Sequence, residues 1–295
     1  MGFFGRHRLL SLGSEAGENR ANSLTDNRLP MLRQGTWPSG ARTNFVAGLG
    51  EFVGTFLFLF FSFAGTQIAN TPPPMPPAGG GPPPPDASKL MFIALAFGLS
   101  LMVNVWAFYR VTGGLFNPAV CAPLTPSVKL CCVTLALYLI RGLSVGRALV
   151  VAVAQFLGGI AAAAVVSGLF PGPPAFATTL GGGASIAQGL FIEMFLTTQL
   201  VYVIIMLAAE KHKSTYLAPI GIGIAFFLAE LIGVYFTGGS LNPARSLGPA
   251  IVNHNFPGYF WIYWLGPLLG SLLACGFYFL LQYLKFRDVN PGQDR

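Results

Sequence analysis

Two short stretches of this 295-residue chain place polar residues and glycines inside a largely apolar sequence. The first reads VTGGLFNPAV at 111–120, and the second reads FTGGSLNPARSLGPA at 236–250. Each contains Thr-Gly-Gly, two further residues and then Asn-Pro-Ala, and the motif asparagines, Asn117 and Asn242, are 125 residues apart. One copy could occur by chance or begin an ordinary helix, but two copies in the same setting favour a shared function.

Asn followed by Pro predicts the start of a helix. Asn is a preferred N-cap, and Pro suits the first helical position because its missing N–H needs no partner there. The N-terminus of a helix carries about half a positive charge. Two such ends placed head to head would disfavour cations and protons, while neutral molecules exchange hydrogen bonds with the Asn amides. The six motif residues are Asn117, Pro118, Ala119, Asn242, Pro243 and Ala244.

The composition around these motifs is typical of a membrane protein with several spans. Hydrophobic residues make up 53% of the chain and charged residues 9%, with a mean hydropathy of +0.62. Soluble domains carry about 25% charged residues, and apolar runs of roughly 20 residues can cross a bilayer as helices. We predict six spans, at about 45–69, 89–109, 147–169, 188–209, 215–236 and 259–283.

The net charge of +7 is explained by an excess of Lys and Arg on one side of a membrane rather than by a polyanionic partner. With six spans, both termini lie on one side. If that side is the cytoplasm, 15 of the 17 Lys and Arg residues fall on it or at its boundary, as the positive-inside rule requires. We therefore predict a multi-pass protein of the plasma membrane with cytoplasmic termini and no nucleic-acid binding.

Three regions are predicted along the chain. Residues 1–44 form a disordered, basic cytoplasmic tail, residues 45–284 form the membrane domain, and residues 285–295 form a short cytoplasmic tail. The stretch CAPLTPSVKLCCV at 121–133 interrupts the helix that begins at the first motif. The sequence leaves open whether this stretch is a genuine insertion or a gene-model error.

The two halves of the membrane domain are related. Each has an acidic residue in an early span, Glu51 or Glu193, then a second span, a motif loop and a third span. Because each half contains three spans, an odd number, the two halves insert in opposite orientations. The motif loops then meet near the midplane. We expect Glu51 and Glu193 to accept hydrogen bonds from the loop backbone rather than to face the headgroups. The predicted fold is all-α, with six transmembrane helices and two re-entrant half-helices in an inverted repeat.

The motifs resemble those of the aquaporins, or major intrinsic proteins, and several local features are most similar to fungal members. The segments in family order over about residues 45–283 are GEFVGTFLFLFF, ALAFGLSLMV, GGLFNPAV, AQFLGG, FIEMFLTTQLV and LAPIGIGIAFFLAELIGVYFTGGSLNPARSLGPAIV. The resemblance implies a pore in each subunit and a homotetramer in the lipid bilayer.

The resemblance also implies a selectivity filter made of Phe97, Glu230, Gly239 and Arg245. Phe97 and Arg245 match the family's aromatic and arginine positions. Glu230 stands where water channels of the family usually have His and glycerol facilitators usually have Gly. We expect a charge-assisted pair between Glu230 and Arg245. The alternative is that Glu230 turns away from the pore and bonds to backbone.

Other residues near the second motif favour water as the solute. Ser246, Ala250 and the pair Tyr263 and Trp264 match the water-channel pattern of the family. We predict a passive water channel with no catalytic residue, no metal and no cofactor. Two alternatives stay open. The altered filter is a reason to consider other small neutral solutes, such as hydrogen peroxide, ammonia or glycerol, and the 121–133 stretch is a reason to consider a non-conducting structural protein.

Overall fold

The structure, a computed structural model, describes residues 39–71, 85–118, 145–210 and 213–290, and helices make up most of this part of the chain. The α-helices are α1 (Ser39–Asn70), α2 (Ala87–Phe108), α3 (Val145–Leu169), α4 (Ile186–Ile204), α5 (Ala218–Thr237), α6 (Pro243–Val252) and α7 (Ile262–Tyr283). A π-helical turn at Ile205–Ala209 extends α4, and 3-10 turns occupy Lys213–Leu217 and Phe286–Asp288.

Six of these helices, all except α6, are long and apolar enough to cross a membrane. Each matches a predicted span, so the prediction of an all-α membrane protein with six spans is confirmed. The short helix α6 begins at the second motif. The helix predicted at the first motif lies outside the described residues, as do Ala119 and the 121–133 stretch.

The first helix begins earlier than the sequence predicted. The structure places residues 39–44, which we assigned to the cytoplasmic tail, in α1. Asn44 Oδ1 accepts a hydrogen bond from Arg147 Nε of α3 at 3.3 Å, which supports this first part of the helix.

Contacts at the ends of the helices show that successive spans run in opposite directions. We call the side where α1, α3 and α5 end the loop side, and the side where they begin the terminal side. On the loop side, Gln67 Oε1 accepts from the Ala175 N–H at 2.8 Å, and Asn70 Nδ2 donates to the Ala175 carbonyl at 2.5 Å. The end of α1 is thereby bound to the loop that follows α3.

On the terminal side, Glu210 joins the end of α4 to the end of α7. Its carboxylate accepts hydrogen bonds from Tyr278 and pairs with Arg287 at 2.5 Å. Burial by itself raises the pKa of Glu210. The hydrogen bonds from Tyr278 and Arg287, with the charge of Arg287, outweigh burial and hold that pKa below its ordinary value. This carboxylate therefore stays ionised at neutral pH.

Side-chain caps determine where two spans begin on the loop side. The Asp86 carboxylate accepts from the N–H groups of Ser88 and Lys89 at the start of α2. Ser185 and Gln188 form a capping box at the start of α4. Caps of this kind stabilise a helix by about 0.5–2 kcal/mol, so these helix ends depend on local side chains as well as on hydrophobicity.

Helices α2 and α5 cross at a pair of glycines, Gly98 and Gly223, each 19 residues before its motif asparagine. A Cβ at Gly223 would lie 2.8 Å from the carbonyl oxygen of Gly98, and one at Gly98 would lie 2.9 Å from that of Gly223. The two backbones are therefore in direct contact, as small residues permit between membrane helices. The equal spacing in the two halves agrees with an inverted repeat.

The half-helix α6 is held against α3 by a similar contact. A Cβ at Gly159 would lie 2.8 Å from the carbonyl oxygen of Ala244, and one at Gly248 would lie 2.5 Å from that of Gly159. Close backbone packing thus fixes the helix that follows the second motif.

Alanine substitutions at two glycines should separate helix contact from helix propensity. We expect Gly223→Ala to destabilise the protein by about 1–3 kcal/mol, because the added methyl group overlaps the backbone of α2. Gly276→Ala in α7 adds a methyl group with nothing within 4 Å. It should stabilise the protein by about 0.5–1 kcal/mol, since Gly is a poor helix former. Thermal unfolding in detergent compares the two variants, and equal shifts in Tm would contradict the proposed contact.

Candidate functional site

The two motif loops have the same backbone conformation. Thr112 Oγ1 accepts from the Gly114 N–H at 3.1 Å, and Thr237 Oγ1 accepts from the Gly239 N–H at 3.3 Å. The left-handed φ angles are 97° at Gly113, 66° at Gly114, 49° at Phe116, 80° at Gly238, 62° at Gly239 and 50° at Leu241. Gly adopts such angles without strain, which explains why both loops read Thr-Gly-Gly.

The two motif asparagines bind each other's loops. Asn117 Nδ2 donates to the carbonyl oxygen of Leu241, and Asn242 Nδ2 donates to the carbonyl oxygen of Phe116, both at 2.8 Å. Each acceptor belongs to the residue just before the other asparagine. Asn242 also caps α6, since its Oδ1 accepts from the Ala244 N–H at 2.9 Å. The two motif loops are therefore joined at their asparagines.

Glu51 binds the first motif loop. Its two carboxylate oxygens accept from the N–H groups of Leu115 at 3.1 Å and Phe116 at 2.9 Å. Gln155 of α3 donates a third hydrogen bond to the same carboxylate at 2.6 Å. The side chain is fully buried, so these donors take the place of water.

Glu193 binds the second motif loop in the same manner. Its oxygens accept from the N–H groups of Ser240 at 3.0 Å and Leu241 at 2.8 Å. Ser240 and Ser246 share a hydrogen bond of 2.6 Å, and Thr178 Oγ1 reaches Ser246 Oγ at 3.0 Å. These hydroxyl groups connect the second motif loop to α6 and to the loop that precedes α4.

Arg245 is buried, and three backbone carbonyls bind its guanidinium group. Nε donates to Gly239 at 2.9 Å, Nη1 to Phe176 at 2.7 Å and Nη2 to Gly238 at 3.1 Å. The side chain is 1% exposed. Its charge is therefore held in place by the backbone of the motif loop and of the loop after α3.

Two aromatic rings also contact the guanidinium group of Arg245. Its Cζ lies 5.0 Å from the ring centroid of Phe97 and 5.5 Å from that of Phe63. Both distances are within the range of cation–π attraction. Phe63 stacks in turn on Phe176, with centroids 4.8 Å apart.

The structure contradicts the predicted pair between Glu230 and Arg245. No hydrogen bond or ion pair joins the two side chains, and three of the guanidinium donors bind backbone carbonyls instead. Both oxygens of Glu230 are buried, and no donor among the described residues lies within hydrogen-bond distance of either. The alternative bond to backbone is therefore also not formed. The carboxylate occupies the space beside Gly239, where a Cβ would overlap it.

The four residues predicted for the filter thus form one contiguous group. Phe97 lies against Arg245, Arg245 binds the Gly239 carbonyl, and Glu230 packs against Gly239. Sequence reasoning missed Phe63, Phe176 and Gln155. The two phenylalanines lie among many apolar residues with no distinguishing spacing. Gln155 could have been found, since it is a polar residue within an apolar span.

Two cavities approach this group from opposite sides. A terminal-side cavity of about 230 Å³ is lined by both motif asparagines, by Gly113 and Gly114, and by apolar side chains that include Val105. A loop-side cavity of about 290 Å³ reaches Arg245. The candidate filter lies between them.

The chain matches the family model described as "Major intrinsic protein" over residues 41–279. It belongs to the major intrinsic protein family. The resemblance stated from the motifs is confirmed, and the six apolar helices are those of a multi-pass membrane protein. Members of this family are channels rather than enzymes.

Fungal relatives support the assignment to the major intrinsic proteins. The chain is 54% identical to "Aquaporin-7" of Botryotinia fuckeliana over 253 residues, which cover 86% of this chain and 53% of that protein. It is 49% identical to "Probable aquaporin-3" of Gibberella zeae over 250 residues, which cover 84% and 82%. The chain spans about half the length of several curated relatives it matches.

A solved structure supports the fold of this family member. The aquaglyceroporin from Plasmodium falciparum aligns with a TM-score of 0.63 at 20% sequence identity, covering 80% of this chain and 95% of that one. At this identity the likeness shows the fold alone.

Replacing Glu193 should test how strongly the second motif loop depends on its carboxylate. Glu193→Gln keeps the size of the side chain but removes one acceptor, so we expect one loop N–H to lose its partner. A buried unsatisfied group costs about 1–3 kcal/mol, and Tm in detergent should fall accordingly. Glu210→Gln is the control, because partly exposed ion pairs contribute about 0–1 kcal/mol. A larger loss at Glu210 than at Glu193 would contradict this role.

Proposed function

We propose that the chain is a passive water channel. The observation that carries the proposal is the reciprocal bonding of Asn117 and Asn242, whose side chains line the end of the terminal-side cavity. Small molecules that reach this point meet polar amides in an otherwise apolar passage. Water can exchange hydrogen bonds with such groups one molecule at a time.

The charges along the proposed pathway oppose the passage of cations. Arg245 carries a positive charge at the boundary of the loop-side cavity. The N-terminus of α6 begins at Asn242 and adds a partial positive charge. A cation would have to lose its water shell against both charges, whereas a neutral molecule would not. We therefore assign exclusion of cations to Arg245 and the N-terminus of α6.

We assign the filter to Phe97, Glu230, Gly239 and Arg245, and the positioning of the loops to Glu51 and Glu193. A second candidate function follows from Glu230, whose carboxylate has no hydrogen-bond donor in the described part of the chain. A buried acceptor in the filter favours solutes with several O–H or N–H groups. Glycerol, hydrogen peroxide and ammonia are therefore the second candidate solutes.

The location and orientation of the channel in the membrane are inferred from its exposed apolar side chains and from the distribution of Lys and Arg. Large apolar side chains such as Val103 and Phe195 are about 60% exposed, at 63% and 60%, as expected where lipid replaces water. The excess of Lys and Arg on the side of the termini supports cytoplasmic termini in the plasma membrane. We propose a homotetramer with one pathway in each subunit.

Osmotic water permeability tests the proposed function directly. Proteoliposomes that contain the chain should shrink after an osmotic step much faster than empty liposomes of the same lipid. Stopped-flow light scattering measures the rate. The rate should also depend less on temperature than permeation through lipid does. A permeability equal to that of empty liposomes would reject the water-channel proposal.

Replacing Glu230 tests its role in selection. Glu230→His places a larger ring with an N–H donor beside Gly239, so we expect the ratio of glycerol to water permeability to fall. The measurement is stopped-flow uptake of both solutes by the same proteoliposomes. Glu210 lies outside the proposed pathway, so Glu210→His should leave the ratio of glycerol to water permeability unchanged. An unchanged ratio and pH response in Glu230→His would remove Glu230 from the filter.

A further inference from the structure

Three phenylalanine rings from three different spans meet beside the candidate filter. Phe58 of α1, Phe97 of α2 and Phe226 of α5 have ring centroids 6.5 Å (Phe58–Phe97), 5.7 Å (Phe58–Phe226) and 5.9 Å (Phe97–Phe226) apart. The ring planes meet edge to face, an arrangement that aromatic pairs prefer. Each residue is at most 1% exposed. We call these three residues the aromatic triad.

The aromatic triad lies between the two cavities. Phe58 and Phe226 line the terminal-side cavity. Phe97 contacts the guanidinium group of Arg245, which lines the loop-side cavity. The rings therefore connect the lining of the terminal-side cavity to Arg245 in the lining of the loop-side cavity.

The three rings differ in how firmly they are held. The backbone of Phe58 accepts a hydrogen bond from Ser100 Oγ at 2.7 Å, and its ring stacks on Phe116 of the first motif loop. Phe97 supports the guanidinium group described above. Among the described residues, Phe226 has ring contacts with the other two members of the triad alone. It can therefore be changed with the least effect on the motif loops and on Arg245.

A cluster of rings limits passage in two ways. Centroids about 6 Å apart bring ring edges into van der Waals contact, so little space remains for a solute between them. The rings also offer no strong hydrogen-bond partner, so a solute larger than water must give up more of its hydrogen bonds to water there. Removing the phenyl group at position 226 would open a connection between the cavities of about 230 and 290 Å³.

We propose that the aromatic triad is a second constriction of the pathway and that Phe226 determines the largest solute that passes. The proposal rests on the channel function proposed above and makes it more specific. Phe226 lies one helical turn before Glu230 on α5, so both side chains leave the same face of the helix. The filter then selects by charge and hydrogen bonding, while the triad selects by width.

The test compares three variants in proteoliposomes. Phe226→Ala removes the ring, Phe226→Leu shortens it, and the matched control Phe227→Ala makes the same deletion at the neighbouring, half-buried position of α5. Stopped-flow light scattering measures permeability to water, glycerol and the longer polyol erythritol, with reconstituted protein quantified for each sample. We expect the ratio of glycerol to water permeability to rise roughly tenfold in Phe226→Ala, which corresponds to about 1.4 kcal/mol in the barrier. Phe226→Leu should be intermediate, and Phe227→Ala should match the unchanged chain.

The outcomes separate this proposal from the channel function itself. If the unchanged chain conducts water and both Phe226 variants keep its solute ratios, the triad is not a constriction. If the unchanged chain conducts no water, the water-channel proposal fails, and permeability gained in Phe226→Ala would still support closure by the triad. Continued impermeability of both Phe226 variants, in samples that elute as folded protein, would overturn the triad proposal. An equal rise in Phe227→Ala would also overturn it.

Discussion

Backbone polar groups at membrane depth must find partners inside the protein, and the two motif loops depend on this requirement. Their irregular shape leaves four N–H groups that bond to the buried carboxylates of Glu51 and Glu193. Two loop carbonyls accept from the amides of Asn117 and Asn242. Each such group would cost about 1–3 kcal/mol if left without a partner. In this arrangement the two carboxylates make a non-helical backbone possible at membrane depth.

The same requirement explains the electrostatics of the candidate filter. The turn of the second motif loop leaves the carbonyls of Gly238 and Gly239 free of helix bonding, and Arg245 satisfies both. Three of the five guanidinium N–H donors are used in this way, and none of the bonds goes to Glu230. The carboxylate of Glu230 instead occupies the space beside Gly239, on the residue whose carbonyl binds Arg245. Close backbone contact at Gly98 and Gly223 holds α2, which carries Phe97, against α5, which carries Glu230.

Much of this could be predicted from sequence, for identifiable reasons. The six spans follow from long apolar runs, and Glu51 and Glu193 were identifiable because an isolated acid in an apolar span needs a partner. The start of α6 followed from the Asn-Pro pair. The prediction of a Glu230–Arg245 pair was wrong, because sequence spacing does not show that the guanidinium group binds the carbonyls of Gly238, Gly239 and Phe176. Phe58 and Phe226 were missed, since periodicity in a phenylalanine-rich span does not show which ring faces the pathway.

The reciprocal bonds between the motif loops have a consequence for biosynthesis. The amide of Asn117 donates to the carbonyl of Leu241, and the carbonyl of Phe116 accepts from the amide of Asn242. A ribosome adds the intervening 125 residues in roughly 6 to 25 seconds at about 5–20 residues per second. During that interval the first motif loop lacks the hydrogen bond from Asn242. Completion of the passage is therefore a late event in translation, and a chain released before residue 242 keeps Glu51 as a partner of its first motif loop but lacks the bond from Asn242.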